Sequence, residues 1–384
     1  MDNFIDKFVA SYGAAPTAVA EAPGRLEILG NHTDYNQGYV LSCAVAQNTK
    51  FALRPIAGTV CRIRDFRDGS EMKIDLADWN TPPPRDGSKY VKGMAAELMK
   101  RGGEIGAFDA ALESDVPLSS GMSSSAALEI SAGLAMGAAF GVELDLAEWA
   151  RAGQGVENNY LGLKTGLLDQ FSSLFGQKDA MILSDFRTVE VLRTVKLPPG
   201  FTIVVINSMK KHNLVDSEYN VRREDCETAA RTLAQLFPGA TTLRDISVDE
   251  LAAARSHLGW REYRRALHVV GENARVLAGV RDLEEEDVLG FGHLWFESHE
   301  SSRMNFENST PELDYLVELA KSTPGCYGAR LSGGGFGGIT IHLVASDQAE
   351  EYAKRVCTAY RLRTHITPHY FICPAGDGAK VWTL

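Results

Sequence analysis

Near its middle the chain breaks at "VKLPPGFTIVVINS": Pro198, Pro199 and Gly200 stand together, and a fresh apolar run follows them. Proline removes a backbone donor and fixes φ, and glycine favours turns, so neither helix nor strand continues through such a triplet. At 384 residues the chain is also too long for one ordinary hydrophobic core. Two domains are therefore expected, residues 1–196 and 197–384. Strand-like and helix-like segments intersperse on both sides of the break without a clean βαβ period, which predicts a mixed α/β or α+β class.

On the first side, "DNFIDKFVASYG" has helical apolar spacing and ends at Gly13, a stop signal. "TAVAEAPGRLEIL" and "YVLSCAVAQNTKFALRP" read as strands around a polar turn, and "KYVKGMAAELMKRGG" as an amphipathic helix. "GAFDAALESDVPLSSGMSSSAALEISAGLAMGAAFG" reads as strand, glycine–serine loop and small-residue helix. Beyond the break, helical segments precede "GCYGARLSGGGFGGITIHLV", a strand, glycine loop and strand. A net charge of −11 disfavours nucleic acid and anionic membrane as partners, since both need a basic surface. The six cysteines are scattered with no CxxC, which argues against a thiolate metal site or a disulfide framework. The N-terminus has no basic start and no apolar leader, and no apolar run is long enough to span a bilayer. A cytoplasmic location is expected by elimination.

Three loops carry groups suited to chemistry. In "VPLSSGMSSSAALEISAGLA", Gly121 and Ser123 to Ser125 open an Ala-rich helix, whose free N–H groups and dipole favour an anion. An ordinary serine cap has the same look, and no GxxxxGK[ST] is present. "LSGGGFGG" formally satisfies GxGxxG, but the "ITIHLV" after it is a strand, so a strand-to-strand turn is the better reading. "GLLDQFSSLFG" sets Asp169 in an apolar stretch, twelve residues after Glu157 in "QGVENNY". Two carboxylates and a serine-rich anion loop suit Mg²⁺–nucleotide chemistry; a helix cap and an exposed carboxylate are the plain alternatives.

Six segments in order resemble the galactokinases of the GHMP small-molecule kinase family over nearly the whole chain. "APGRLEILGNHTDYNQG" is similar to their signature, usually GRVNLIGEHTDY, and "PLSSGMSSSAALE" to their phosphate loop. "GLLDQFSS" resembles their GIMDQ segment, "NSMKKHNLVDSEYNVRR" their SEYxxRR segment, and "FGHLWFESHESSRMNFENSTPELDYL" their FGxLMxxSH stretch. "ARLSGGGFGG" resembles the third GHMP motif. The resemblance implies an α+β, two-domain GHMP-kinase fold with the active site in the interdomain cleft. It implies transfer of the γ-phosphoryl group of ATP to a sugar's anomeric hydroxyl, most simply galactose, with Mg²⁺. By position, Asp169 would be the catalytic carboxylate and Arg25 its charge-stabilising neighbour. Asn31, His32, Asp34, Gly166 and Tyr219 would bind sugar. Gly121, Met122, Ser123, Ser124 and Ser125 would cradle phosphates, and Gly333, Gly334 and Gly335 would help close the site. Ser125 or Ser124, with Glu157, would hold Mg²⁺. The expected partners are a small-molecule sugar and ATP, with neither nucleic acid nor membrane, and a monomer is the expected state.

An arginine beside an aspartate favours the ionised carboxylate and weakens it as a base. Positioning and charge neutralisation should then carry most of the rate. The chain departs from the signature at Glu27, where Asn is usual, and at Asn31, where Glu is usual. On a strand Arg25 and Glu27 share a face, so Glu27 is expected to pair with Arg25. Asn31 removes a carboxylate from the sugar wall, which opens the door to a uronic acid or another hexose. Ser119 stands where the phosphate loop often has glycine. Asp169, Arg25, Glu157 and the serine run are all present, which favours an active enzyme over a silent sugar sensor.

Overall fold

The computed structural model describes residues 1–83, 86–117, 121–210 and 215–384; Ser119 lies outside them. The strand Ala18–Leu29 lies between Lys380–Thr383 and the 17-residue strand Tyr39–Pro55, antiparallel to both. The end of Tyr39–Pro55 pairs with Phe108–Ser114, which runs parallel to Val60–Asp65; Glu71–Asp75 follows at the edge. The start of the same long strand pairs instead with Met181–Asp185, and that strand with Glu190–Val195. Register shifts between Pro23 and Arg25 and between Glu27 and Leu29 bend the neighbouring strand.

The helix Ser124–Phe140 packs against this sheet. Every residue from Ala126 to Gly137 is buried, so it has no wet face, as befits a helix of small residues inside a core. Ile130 and Leu134 share a cluster with Ala20, Phe51 and Leu53 of the sheet.

A second sheet orders His369–Ile372, Phe201–Asn207, Ile339–Ala345 and Cys326–Ser332, antiparallel throughout. Successive side chains of Phe201–Asn207 point to opposite faces, and both faces are covered. Ile203 and Val205 join Leu26, Ile28 and Trp295, whereas Val204 and Ile206 join Tyr352, Val356 and Tyr360. Burial on both sides is why the run reads as continuously apolar. Because Leu26 and Ile28 belong to the first sheet, this shared cluster binds the two sheets together. "LSGGGFGG" is a turn between two paired strands, as expected from the alternation after it. The helices Val215–Leu236 and Trp260–Glu284 build a further core around Cys226, Leu233, Val269 and Phe306. Among the described residues no helix is long and apolar enough to cross a membrane.

Candidate active site

Arg25 leaves its strand at the first register shift and reaches Asp169, on the first turn of the helix Leu168–Phe175. Its Nε donates to Asp169 Oδ1 at 2.7 Å, its Nη2 lies 2.6 Å from the same oxygen, and its Nη1 donates to the Gly121 carbonyl at 2.6 Å. The other Asp169 oxygen accepts the Ser123 hydroxyl. Ser123 stands at the N-cap of Ser124–Phe140 with φ 57°, and its side chain makes no capping bond. The ordinary serine cap is thereby excluded. The hydroxyl serves Asp169, and the helix's first N–H groups, which have no partner within a helix, are left to an anion.

Two pockets meet here. A pocket of about 640 Å³ is lined by Gly121 and Ser123 to Ser125, and also by Arg67, Lys89 and Tyr90. A smaller one of about 90 Å³ is lined by Glu27, Asn31, His32, Asp34, Gly166 and Tyr219. Arg25, Asp169 and Gly334 line both.

The small pocket is a wall of fixed polar groups. Asp34 Oδ2 accepts the Leu168 N–H at 3.2 Å, and burial raises the Asp34 carboxyl above its usual range. Gly166 passes so close that a Cβ there would sit 1.6 Å from Asp34 Oδ2, so any side chain would push the Asp34 carboxylate out of place. His32 Nε2 lies 3.2 Å from the Gly334 carbonyl, and its Nδ1 lies 3.0 Å from the Tyr35 hydroxyl. Those partners assign the neutral Nε2–H tautomer, and burial, then nearby His268, lowers its pKa to about 3. The His32 ring stacks on Phe306 with centroids 4.3 Å apart and tilts against Tyr219 at 5.1 Å. The glycine loop closes over this wall: Gly335, at φ 81°, would bring a Cβ to 2.2 Å from the Asn308 carbonyl.

Glu27 does not pair with Arg25, contrary to expectation. Arg330 Nη2, fully buried, donates to Glu27 Oε1 at 2.8 Å, and Asn31 Nδ2 reaches the two carboxylate oxygens at 3.0 and 3.2 Å. Arg25 is spent on Asp169 instead. Sharing a strand face put the two residues side by side, but a partner 303 positions away took the carboxylate. Burial raises the Glu27 carboxyl above its usual range, against the pull of Arg330 and Arg25.

The polar turn is held from behind by the helix Trp260–Glu284. Glu272 Oε2 accepts the N–H groups of Gly30 and Asn31, each at 3.0 Å, and Asn273 Oδ1 accepts the Tyr39 N–H at 2.8 Å. Burial alone would raise the Glu272 pKa, but Arg275 and Arg330 outweigh it and hold the carboxyl well below the usual range. Sequence reading missed Glu272, Asn273 and Arg330. It also missed Arg67, Lys89 and Tyr90; the basic start of "KYVKG" was the available signal for Lys89 and Tyr90.

On the serine side, Glu157 sits in a π-helical turn, buried, with Thr165 Oγ1 donating to Oε2 at 2.6 Å and Ser125 Oγ 3.5 Å from Oε1. Burial, then the charge of Asp169, pushes its pKa up to about 7. A divalent cation beside Ser125 would relieve that unfavourable charge, so these donors fit Mg²⁺. Among the described residues no group of three or more His, Cys, Asp or Glu could form a full cage, so phosphate and water oxygens would complete the ion's shell. Behind Asp169, Gln170 Nε2 donates to buried Glu129 Oε2 at 2.8 Å. Met122 turns its side chain into the core, and its carbonyl accepts the Arg25 N–H at 3.1 Å.

Residues 6–55 match the galactokinase galactose-binding signature, 89–177 the GHMP kinases N terminal domain, and 280–362 the GHMP kinases C terminal domain. A galactokinase of Glaesserella parasuis is 40% identical over 381 residues, covering 98% of this chain and 97% of its own length. One from Roseiflexus sp. is 38% identical over 375 residues, covering 97% and 95%. The crystal structure of Lactococcus lactis galactokinase complexed with galactose superposes with a TM-score of 0.93 at 30% identity, covering 99% of each chain. Mevalonate kinase of Methanococcus jannaschii, at 17% identity and a TM-score of 0.65, shares the fold.

Proposed function

The chain belongs to the galactokinases of the GHMP kinase family and is an ATP-using sugar phosphotransferase, and on that premise we propose that it joins galactose and ATP across Asp169 and Arg25. The observation that carries this reading is the shared border of the two pockets: a large one lined by an uncapped helix N-terminus, and a small polar one, with Asp169 and Arg25 on the wall of each.

The anion end binds the triphosphate. Gly121 to Ser125 supply N–H and hydroxyl donors, and the dipole of Ser124–Phe140 favours negative charge. Asp34, His32, Gly166 and Tyr219 hold the sugar in the small pocket. Asp169 orients the anomeric hydroxyl toward the phosphoryl group and accepts its proton as the new bond forms. Arg25 fixes the Asp169 carboxylate and offsets charge that builds between nucleophile and phosphate. Asp169 acts chiefly by placement, as is usual in phosphoryl transfer. Ser125 and Glu157 would hold Mg²⁺, which when bound neutralises phosphate oxygens.

The test is ATP turnover with Mg²⁺ against galactose, galacturonate, glucose, fucose and N-acetylgalactosamine. Turnover of galactose well above the others is the expected result. Silence on galactose with another sugar active overturns the substrate; silence on all, with galactose still bound, overturns the catalytic reading.

A further inference from the structure

Glu27 and Asn31 line the small pocket side by side, and their hydrogen-bonding capacities are spent very differently. An amide side chain offers two N–H donors and one acceptor oxygen. Asn31 Nδ2 gives one bond to the Gly333 carbonyl at 2.8 Å and shares the other between the two oxygens of Glu27. Its Oδ1 accepts Asn308 Nδ2 at 2.9 Å and lies 3.5 Å from the Ser302 hydroxyl. Its backbone is occupied too: the N–H goes to Glu272, and the carbonyl lies 3.0 Å from His268 Nε2. Every polar group of Asn31 is taken by protein, and the residue is fully buried.

Glu27 keeps capacity in reserve. Its Oε1 accepts both Arg330 and Asn31, but its Oε2 accepts only the longer arm of the Asn31 bond, at 3.2 Å. A carboxylate oxygen has two lone pairs, so Oε2 can take a further donor. The group is also immobile. The Glu27 N–H and carbonyl are both bonded to Ser332 Oγ, at 3.1 and 2.9 Å, and Arg330 is itself anchored on the Ile28 carbonyl at 2.7 Å. A fixed acceptor with spare capacity, on the wall of a pocket that Asp169 also lines, is what recognition of a neutral polyol needs.

We propose that Glu27 binds a hydroxyl of the sugar, and that Asn31 is a positioning residue which aims the Glu27 carboxylate and makes no bond to substrate. The carboxylate that reads this hydroxyl then lies on the strand, at Glu27, and not at Asn31 on the turn. This rests on the sugar-kinase reading above and deepens it.

The experiment couples one protein change to removal of one hydroxyl at a time. kcat/KM is measured for galactose and for its 2-, 3-, 4- and 6-deoxy forms, with the natural enzyme and with Glu27→Gln. For the natural enzyme, loss of the recognised hydroxyl costs about 10- to 100-fold, the range for a hydrogen bond to a charged group. Glu27→Gln loses a similar factor on galactose and discriminates that one deoxy sugar no further, while the other three deoxy sugars show the full loss. Equal losses on all five sugars, with galactose still turned over by the natural enzyme, overturn this proposal alone. A natural enzyme silent on galactose overturns the reaction reading, and this proposal with it. Should Glu27→Gln not fold, a galactose complex of the natural enzyme decides: a sugar hydroxyl within hydrogen-bond distance of Glu27 supports the proposal, and one bonded to Asn31 instead overturns it.

Discussion

The phosphate side and the sugar side of this site are built on opposite plans. The phosphate side is local: Gly121 to Ser125 lead straight into one helix, and the donors are consecutive in sequence. The sugar side is assembled. Its turn, residues 30–38, is pinned by Glu272 and Asn273, faced by the Gly333–Gly335 loop, and braced through Arg330 and Asn308. A local anion site needs only the free N–H groups that every helix start provides. A pocket for an uncharged polyol needs acceptors held at set angles, and a single turn cannot hold them without help from distant segments. Perturbing the phosphate side should therefore act on chemistry, and perturbing the supports of the sugar side should act on folding and sugar affinity together.

The contrast is sharpest at Asp169, where the sides meet. Asp169→Asn keeps the shape and removes the charge; turnover should fall about 10²- to 10⁴-fold, while galactose binding, followed by calorimetry, stays measurable. Unchanged turnover would break the assigned role. Glu272→Ala tests the remote support. It leaves the buried Gly30 and Asn31 N–H groups without an acceptor and takes the partner from half-buried Arg275, so about 3–5 kcal/mol of stability should be lost, about 1–3 for each unsatisfied buried donor. Denaturant unfolding reads this, and KM for galactose should rise more than KM for ATP. Equal rises in both would erase the distinction between the two sides.

Glu157 gives the phosphate side a pH signature. With its pKa pushed up to about 7, the folded protein holds the Glu157 proton more tightly than the unfolded chain does. Its contribution to stability thus falls as pH rises from the ordinary carboxylate range through about 7. Metal binding needs the ionised carboxylate, so apparent Mg²⁺ affinity should climb between pH 6 and 8, and Glu157→Gln should flatten that rise. The smallest effect is expected at Glu129, fully buried, where burial and then the charge of Glu157 raise the pKa well above its usual value. If Glu129 is held neutral, Glu129→Gln should change kcat/KM less than about twofold, in line with a swap that leaves charge and shape alone. A large loss would show that a buried charge there matters.

The same division explains what could be read from sequence. The helix Asp2–Tyr12 with its left-handed Gly13, the strands around the polar turn and the glycine hairpin all follow from local periodicity and punctuation. Asp169 and the serine run are local signals of the same kind, and Arg25 and Asp169 do meet. The pairing of Glu27 went astray because alternation along a strand says which residues share a face, not which distant residue arrives there. Glu272 reaches the turn from more than 240 positions away with no motif of its own, and Arg330, though inside "ARLSGGGFGG", reaches Glu27 from 303 positions away with nothing in that motif to announce it. Ser123 shows the reverse limit. A serine before a helix reads as a cap, but at φ 57° its hydroxyl turns to Asp169.

The strand Lys380–Thr383 lies beside Ala18–Glu21, and just before it the Gly378 and Ala379 N–H groups bond the carbonyls of Gly176 and Ser173, at the end of the helix that carries Asp169. A ribosome makes the two paired strands more than 350 residues apart. Until residues 380–383 are made, the strand that bears Arg25 keeps one margin open, a ready template for pairing with another nascent chain. Residues 378–383 shut that margin and hold the end of the helix that carries Asp169 at the same time. Removal of residues 378–383 is therefore expected to betray itself first as aggregation during expression.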